Sequence, residues 1–131
     1  MEYSLKFIGK IHSDLRRLED CPLLEHENAP AATIEIYDEF RQAIQSVKPG
    51  DNMILLTWLH QANRTTLITR PRNNPNAAMT GVFSTRSPDR PNPIGIHFVR
   101  IVSVRDNKKL EVSGLEVLDG TPVIDIKPDL T

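Results

Sequence analysis

The sequence has few of the residues that form metal sites and covalent cross-links. Cys21 is the only cysteine in 131 residues, so the chain cannot form an intramolecular disulfide or a cysteine-rich zinc site. A lone cysteine is typical of proteins from a reducing compartment. The histidines also lack the spacing of zinc ligands, and they are His12, His26, His60 and His97. We therefore expect a cytoplasmic protein without a metal ion.

Long apolar runs and several common catalytic motifs are also missing. We expect no signal peptide, because the N-terminal stretch MEYSLKFIGK has no basic segment followed by an apolar run. No run is long enough to span a bilayer, so we expect no membrane partner. The absence of GxGxxG and of a Walker loop argues against those nucleotide sites, and the absence of GxSxG argues against a serine hydrolase.

What is present indicates one globular domain with an uneven charge distribution. Hydrophobic residues make up 39% and charged residues 25% of the chain, which excludes an intrinsically disordered composition. Residues 61–109 contain nine bases and two acids, whereas the segments on either side are acidic. This basic block is either a solvated face balanced by its neighbours or a surface for a phosphate-bearing partner.

Alternating apolar residues predict a mainly β domain. Seven segments have the length and pattern of strands, and they cover residues 3–13, 32–37, 52–60, 80–84, 94–105, 110–118 and 123–126. Gly9 in the first segment is interpreted as a bulge. The DNKK stretch predicts a tight hairpin between the fifth and sixth segments, whereas residues 14–30 and 62–79 are predicted to be mainly loops.

One helix is predicted over residues 38–47, because Phe40, Ala43, Ile44 and Val47 recur at helical spacing. Many short strands with one helix favour a β-barrel. The alternative is an α+β sandwich in which the helix packs on a sheet.

The stretch TRSPDRPNPIG, Thr85 to Gly95, combines three prolines with two arginines and an asparagine, and we call it the proline loop. Each proline fixes φ and removes a backbone donor, so the loop is stiff before any ligand arrives. Arg86, Arg90 and Asn92 then project with little conformational freedom, which favours ligand binding. The alternative is a rigid corner whose arginines brace backbone carbonyls.

Two further stretches place polar residues at the ends of predicted strands. TWLHQANR runs from an apolar strand into polar residues, and we call residues 59–64 the strand-end segment. LDGTPVIDIKP contains turn residues at 119–122, which we call the DGTP turn. Taken alone, the first is best interpreted as the edge of a strand and the second as a simple turn.

Together these stretches are similar to one family. GVFSTRSPDRPNPIGIHFVRI, with LTWLHQANR before it and LEVLDGTPVIDIKP after it, closely resembles the TrmO/TsaA-like family, also called YaeB-like, and IGKIHS matches the family's first strand. The resemblance implies a single-sheeted β-barrel of the TsaA-like type that acts as a homodimer with its cofactor near the subunit interface. We treat residues 1–131 as one such domain without the C-terminal tRNA-binding extension of longer relatives.

The resemblance also implies an activity. Characterised relatives use S-adenosylmethionine to methylate N6 of threonylcarbamoyladenosine, the modified adenosine next to the anticodon of certain tRNAs. The positions matched to the family's motifs are assigned to cofactor binding or its immediate surroundings, and they are His60, Gln61, Arg86, Ser87, Arg90, Pro91, Asn92, Ile96, Leu118, Asp119, Gly120 and Thr121. We expect the tRNA phosphates to contact Arg64, Arg70, Arg72 and Arg100.

The catalytic residue and the acceptor stay open at this point. The target nitrogen carries a carbamoyl substituent, so a base that removes its proton would help the transfer. Asp119, Asp125 and His60 are the three candidates. The alternatives to a tRNA methyltransferase are a sensor that binds the cofactor without catalysis and a methyltransferase for another small-molecule or RNA acceptor.

Overall fold

The computed structural model of the chain describes residues 2–14, 31–71 and 74–131. Within them lie eight strands: β1 Gly9–His12, β2 Ala32–Ile36, β3 Asn52–Trp58, β4 Ile68–Thr69, β5 Thr80–Gly81, β6 Ile94–Arg105, β7 Lys109–Ser113 and β8 Pro122–Pro128. Two 3₁₀ segments accompany them, at Asp38–Ile44 and Val82–Ser84. Most of the predicted loop at residues 14–30 lies outside the described residues.

Six of the strands form one sheet that closes on itself. They are hydrogen-bonded in the order β1–β2–β7–β6–β3–β8, and β8 also pairs with β1. Every neighbouring pair is antiparallel, so the strands alternate in direction around the sheet. The short strands β4 and β5 pair with each other in a separate sheet. The prediction of a mainly β fold is therefore confirmed.

The interior of the closed sheet is filled by alternate residues of each strand. Along β6, residues 95, 97, 99 and 101 are buried, whereas residues 94, 96, 98 and 100 are exposed. Most of the core side chains are aliphatic, and those with no exposed surface include Ile11, Leu55, Leu110, Val112 and Val123. Burial of each such side chain stabilises the fold by about 1.5–3 kcal/mol.

The predicted helix forms as a 3₁₀ helix over Asp38–Ile44. Ile44 is buried, and Phe40 and Val47 pack against the core as predicted. Ala43, which was expected on the same face, is exposed. In a 3₁₀ helix residues three apart lie on the same side, so Ala43 is aligned with the half-buried Phe40 and not with the buried Ile44. Among the described residues, no helix is long and apolar enough to cross a membrane.

The first strand is shorter than predicted and contains no bulge. Only Gly9–His12 forms β1, and these four residues pair with β2 in unbroken register. A Cβ atom on Gly9 would collide with the carbonyl oxygen of Glu35. The glycine is therefore required by the close approach of two strands and not by a bulge.

The segment before the proline loop agrees with the prediction only in part. Residues 62–79 were predicted as a strand end and then a polar loop, and the strand within them is β4, which pairs with β5. The strand predicted over 80–84 ends at Gly81, and the chain continues as a 3₁₀ turn. Both the backbone N–H and the hydroxyl of Thr85 donate to the carbonyl oxygen of Val82, which closes this turn.

The β6–β7 hairpin turns at DNKK, as predicted. Asp106 and Asn107 have φ angles of 54° and 53°. Aspartate and asparagine are the non-glycine residues that adopt this left-handed conformation most readily, so the residue types explain the turn.

The alternation of strand direction gathers the three predicted motifs at one end of the closed sheet, which we call the site end. The strand-end segment follows β3, the proline loop leads into β6, and the DGTP turn leads into β8. Since β3 runs antiparallel to both β6 and β8, the end of β3 lies beside the beginnings of the other two. The β6–β7 hairpin and the 3₁₀ helix after β2 lie at the opposite end.

Candidate functional site

Arg90 holds the proline loop together from within. Its Nη1 donates to the carbonyl oxygens of Thr85 at 3.0 Å and Ser87 at 2.9 Å, and its Nη2 donates to that of Val82 at 2.9 Å. Arginine suits this task because its planar guanidinium offers several donors in a fixed geometry. The structure thus gives Arg90 the bracing role that the sequence left open.

Arg64 joins the proline loop to the strand-end segment. Its Nε donates to the carbonyl oxygen of Pro91 at 2.8 Å, and its Cζ lies 4.9 Å from the centre of the Trp58 ring. The first contact satisfies a carbonyl of the loop, and the second is a cation–π interaction. Arg64 was expected to bind phosphate, but its guanidinium already makes these two contacts within the protein.

Two backbone hydrogen bonds reinforce this connection. The N–H of Asn63 donates to Oδ1 of Asp89 at 2.8 Å, and the N–H of Leu59 donates to the carbonyl oxygen of Pro93 at 2.8 Å. The strand-end segment and the proline loop are therefore bonded to each other along their length, and each fixes the position of the other.

The DGTP turn packs against the end of β1. Gly120 has a φ of +84°, which favours glycine, and its N–H donates to the carbonyl oxygen of Ile11 at 2.7 Å. The carboxylate of Asp119 accepts a hydrogen bond from the N–H of Ser13 at 3.0 Å. The hydroxyl of Ser13 in turn donates to the carbonyl oxygen of Val117 at 2.9 Å. These bonds fix the direction of the Asp119 side chain.

A polar cavity of about 380 Å³ lies beside this turn, and it is lined by His12, Ser13, Asp14, Ala31, Ala32, Thr33 and Asp119. Its volume is within the range of small-ligand sites. Two carboxylates border it, so its chemistry suits a ligand with a positive charge. His12 lies 2.6 Å from Oε1 of Glu35, and this hydrogen bond holds the pKa of Glu35 below its usual value.

A second cavity of about 440 Å³ lies at the opposite end of the sheet, between the 3₁₀ helix and the β6–β7 hairpin, and it is lined by Arg41, Gln42, Ile44, Gln45, Val47, Val104 and Asn107. It is the larger of the two, but it contains none of the predicted site residues. We therefore assign the candidate site to the end where the three motifs meet.

The remaining predicted site residues differ in exposure. Exposed side chains at the site end are His60, Gln61, Arg86 and Asn92. Ser87 and Pro91 are partly buried within the proline loop, and Ile96 faces outward on β6. Leu118 and Thr121 are buried, and the Thr121 hydroxyl donates to the Leu118 carbonyl oxygen at 2.6 Å. The four exposed side chains can contact a ligand directly, whereas Leu118 and Thr121 stabilise the turn.

Four other predicted residues lie on the outer surface or outside the described residues. Asp125 faces outward on β8, with its Oδ2 3.2 Å from Nζ of Lys127. Arg100 faces outward on β6, six residues from the start of the strand, a separation of roughly 20 Å. Arg72 lies outside the described residues. Arg70 is exposed just after β4.

The sequence motifs did not reveal a buried polar pair beneath the proline loop. Thr57 and His97 are hydrogen-bonded inside the closed sheet, 2.7 Å apart. Both occupy strand positions that alternate with outward residues, so strand parity could have indicated that they face inward. Within residues 2–14, 31–71 and 74–131, no group of three or more histidine, cysteine or acidic residues could hold a metal ion.

Replacing Arg90 with lysine should destabilise the protein, because lysine keeps the charge but cannot reach three carbonyls in a planar arrangement. We expect the free energy of unfolding to fall by about 2 kcal/mol, the scale of charge-assisted hydrogen bonds, as measured by urea denaturation. Arg86→Lys is the matched control, since Arg86 is exposed in the same loop. Equal stability of the two variants would contradict the bracing role.

Comparison with known proteins identifies the family. Residues 10–131 match the model of the TrmO N-terminal family, described as the tRNA-methyltransferase O N-terminal domain. A crystal structure of TrmO from Pseudomonas aeruginosa superposes with a TM-score of 0.74 and 31% sequence identity, and the match covers 99% of this chain and 57% of that one. A second TrmO crystal structure gives a TM-score of 0.72 at 31% identity, with 99% and 56% covered.

Curated relatives have similar sequences and cofactor-based names. VirR of Rhizobium radiobacter, a probable S-adenosyl-L-methionine-binding protein, is 38% identical over 96% of this chain and 70% of its own length. A protein of the same description from Methanothermobacter thermautotrophicus is 36% identical, with 98% and 90% covered. One from Archaeoglobus fulgidus is 39% identical over 98% of this chain, which spans only 34% of that protein. The chain belongs to the TrmO family and corresponds to its N-terminal domain.

Proposed function

We propose that the protein is an S-adenosylmethionine-dependent methyltransferase that methylates N6 of threonylcarbamoyladenosine next to the anticodon of tRNA. The observation that carries this proposal is the meeting of the proline loop, the strand-end segment and the DGTP turn at one end of a closed sheet. These are the segments that carry the family resemblance. The names of the curated relatives support the cofactor, and the family description supports the tRNA acceptor.

The residues at the site end fit the cofactor chemically. S-adenosylmethionine combines a positive sulfonium and ammonium with a carboxylate, and it supplies an activated methyl group when bound. Asp14 and Asp119 border the polar cavity and would attract the positive groups. The exposed Arg86 would bind the carboxylate through its planar fork. His60, Gln61 and Asn92 would supply hydrogen bonds to the polar parts of the nucleoside.

The geometry favours two of the three candidate bases. Asp119 lines the cavity, and His60 is exposed in the strand-end segment. Asp125 does not line the polar cavity, and its Oδ2 lies 3.2 Å from Nζ of Lys127, so we leave it out of the proposed mechanism. Asp119 is preferred because the Ser13 N–H fixes its direction and because a carboxylate can accept the proton of the acceptor nitrogen.

The tRNA would approach the exposed arginines around the proline loop. Arg70 is exposed and can hold phosphates, and Arg100 extends the basic surface along β6. Arg64 would act indirectly, by holding the loop. An anticodon loop presents unstacked bases, which proteins can read by their edges and faces. Such binding should weaken steeply with salt, and a tRNA acceptor would locate the protein in the cytoplasm.

The outer surface of the closed sheet supports a homodimer. Outward residues on β1, β2 and β7 are all polar, and they are Lys10, His12, Thr33, Glu35, Lys109, Glu111 and Ser113. Three of the four outward pairs between β3 and β6 are apolar, the fourth being Asn52 with Arg100, and the three form what we call the apolar face: Ile54, Leu56, Trp58, Ile94, Ile96 and Phe98. A contiguous exposed apolar patch is typical of an interface, and we propose that a second copy covers it.

A sensor that binds the cofactor without catalysis is the second candidate. It is favoured by one observation, since the curated relatives are named for binding S-adenosylmethionine and not for transferring a methyl group. A different methyl acceptor is the remaining alternative, because the fold does not specify the acceptor.

Calorimetric titration with S-adenosylmethionine, followed by methyl transfer to tRNA that carries threonylcarbamoyladenosine, tests the proposal. We expect binding and transfer by the wild type. Arg86→Ala should weaken cofactor binding about tenfold, because a charge-assisted bidentate bond is lost. Arg105→Ala, which changes an exposed arginine at the opposite end of β6, is the matched control. Binding without transfer to any tRNA would favour the sensor, and no binding by a folded protein would overturn the cofactor assignment.

Asp119→Asn tests the base, because the amide oxygen can still accept the hydrogen bond from Ser13. We expect unchanged thermal stability and a methyl-transfer rate at least 100-fold lower, on the scale of general-base catalysis. Single-turnover rates at saturating cofactor measure this directly. An unchanged rate would exclude Asp119 as the base, and the same measurement on His60→Gln would then test the other candidate.

Phe98→Lys tests the homodimer, because it introduces a charge at the most exposed side chain of the apolar face, where Phe98 is 55% exposed. We expect the dimer dissociation constant to rise at least tenfold in sedimentation velocity experiments. Thr33→Lys, an outward substitution on polar β2, should leave it unchanged. A monomeric wild type, or equal dimerisation of both variants, would contradict the proposed interface.

A further inference from the structure

We propose that the hydrogen bond between Thr57 and His97 is a latch that sets the position of the proline loop relative to the strand-end segment. The inference rests on the proposed cofactor site, whose two parts the latch would align. Thr57 Oγ1 and His97 Nε2 are 2.7 Å apart, and the two residues are 0% and 6% exposed. Both are positioning residues in this proposal, because neither lies where a ligand could touch it.

The latch joins the two strands that carry the motifs. Thr57 in β3 lies directly opposite Gly95 in β6, and His97 is two residues further along the same face of β6. The bond therefore crosses the strand pair diagonally, over Gly95. His60 follows Thr57 by three residues, and Asn92 precedes Gly95 by three. Within the sheet, the latch is thus the side-chain hydrogen bond that lies next to both motifs.

Gly95 is explained by the latch. A Cβ atom at this position would lie 2.7 Å from His97 Nε2 and 2.7 Å from Thr57 Oγ1. Those distances are too short for a carbon atom, so any side chain at residue 95 would push the pair apart. The glycine that ends the proline loop is therefore needed for space and not for a left-handed backbone, since Gly95 is not among the residues with positive φ.

The latch lies next to the hydrogen bonds between β3 and β6 that extend as far as the proline loop. Immediately beyond Thr57 and Gly95, Trp58 pairs with Ile94, and the N–H of Leu59 donates to the carbonyl oxygen of Pro93 at 2.8 Å. A displacement of β6 against β3 at residue 95 would be transmitted directly to this bond. Binding sites tolerate errors of only about 0.5 Å in the position of their groups, so a small shift would weaken the site.

A purely structural role makes a different prediction from a latch. Loss of any buried hydrogen bond lowers stability, wherever it lies. Only a latch also makes the proline loop more mobile and weakens the ligand site while the rest of the sheet stays intact. The test therefore compares cofactor binding and local hydrogen exchange with global stability.

Thr57→Val removes the hydroxyl with little change in volume, and Thr57→Ser keeps it. With S-adenosylmethionine as the probe, well below the unfolding temperature, we expect Thr57→Val to raise the dissociation constant about fivefold to tenfold. Thr57→Ser should stay within twofold of the wild type. Amide exchange over residues 82–95 should be faster in Thr57→Val alone. Ile34→Val is the control, because it truncates a buried residue of β2 and should lower the unfolding temperature without changing the dissociation constant.

Two results would overturn the latch. The first is cofactor binding by Thr57→Val equal to that of the wild type, and the second is unchanged exchange of residues 82–95. Should Thr57→Val fail to fold, His97→Phe removes the bonding nitrogen from the other side of the latch and keeps an aromatic ring, and binding and exchange equal to those of the wild type in this variant would overturn the latch as well. If the wild type does not bind S-adenosylmethionine, the proposed function fails, whereas the exchange comparison still decides on the latch.

Discussion

The closure of six antiparallel strands into one sheet is the constraint on which the rest of the structure depends. Because neighbouring strands alternate in direction around the whole sheet, each segment that connects two strands lies at one of the two ends of the sheet. The segments after β3, before β6 and before β8 share one end, although more than fifty residues separate the strand-end segment from the DGTP turn. The sheet thus brings three short motifs together in one candidate site.

The composition of the proline loop follows from its hydrogen bonding. Three prolines remove three backbone donors, so fewer N–H groups of the loop are left to pair with its own carbonyl oxygens, as the N–H of Ile94 does with that of Asn92. Arginine side chains supply donors instead: Arg90 serves Thr85, Ser87 and Val82, and Arg64 serves Pro91. The arginines therefore supply the hydrogen-bond donors that the prolines remove. Because Arg90 is used in this way, the exposed Arg86 is the arginine of the loop best placed to contact a ligand.

Much of the fold could be predicted from the sequence, because period-two alternation and the turn residues of DNKK are local signals. The failures have specific causes. Gly9 was misinterpreted because the need for a glycine comes from a carbonyl group on another strand, which the local sequence does not show. Val82 and Phe83 were assigned to a strand because no pattern of apolar residues marks the turn that Thr85 closes. The motifs of the candidate site could be located from the sequence, but the role of each residue within them could not. Whether an arginine braces carbonyls or meets solvent depends on contacts between segments, as Arg90 and Arg86 illustrate in one loop.

The distribution of polarity around the sheet connects the site to the proposed dimer. The outward residues of β1, β2 and β7 are polar, as is usual for a surface in contact with solvent, whereas those of β3 after Asn52 and of the first half of β6 are apolar. Ile94 belongs to this apolar face and is also the residue at which the proline loop enters β6. A second copy that covers the face would therefore lie against the edge of the first copy's site. Burial of the face would then also remove water from the neighbourhood of the proline loop, where an electrostatic contact with a charged cofactor is strengthened by a lower local dielectric constant.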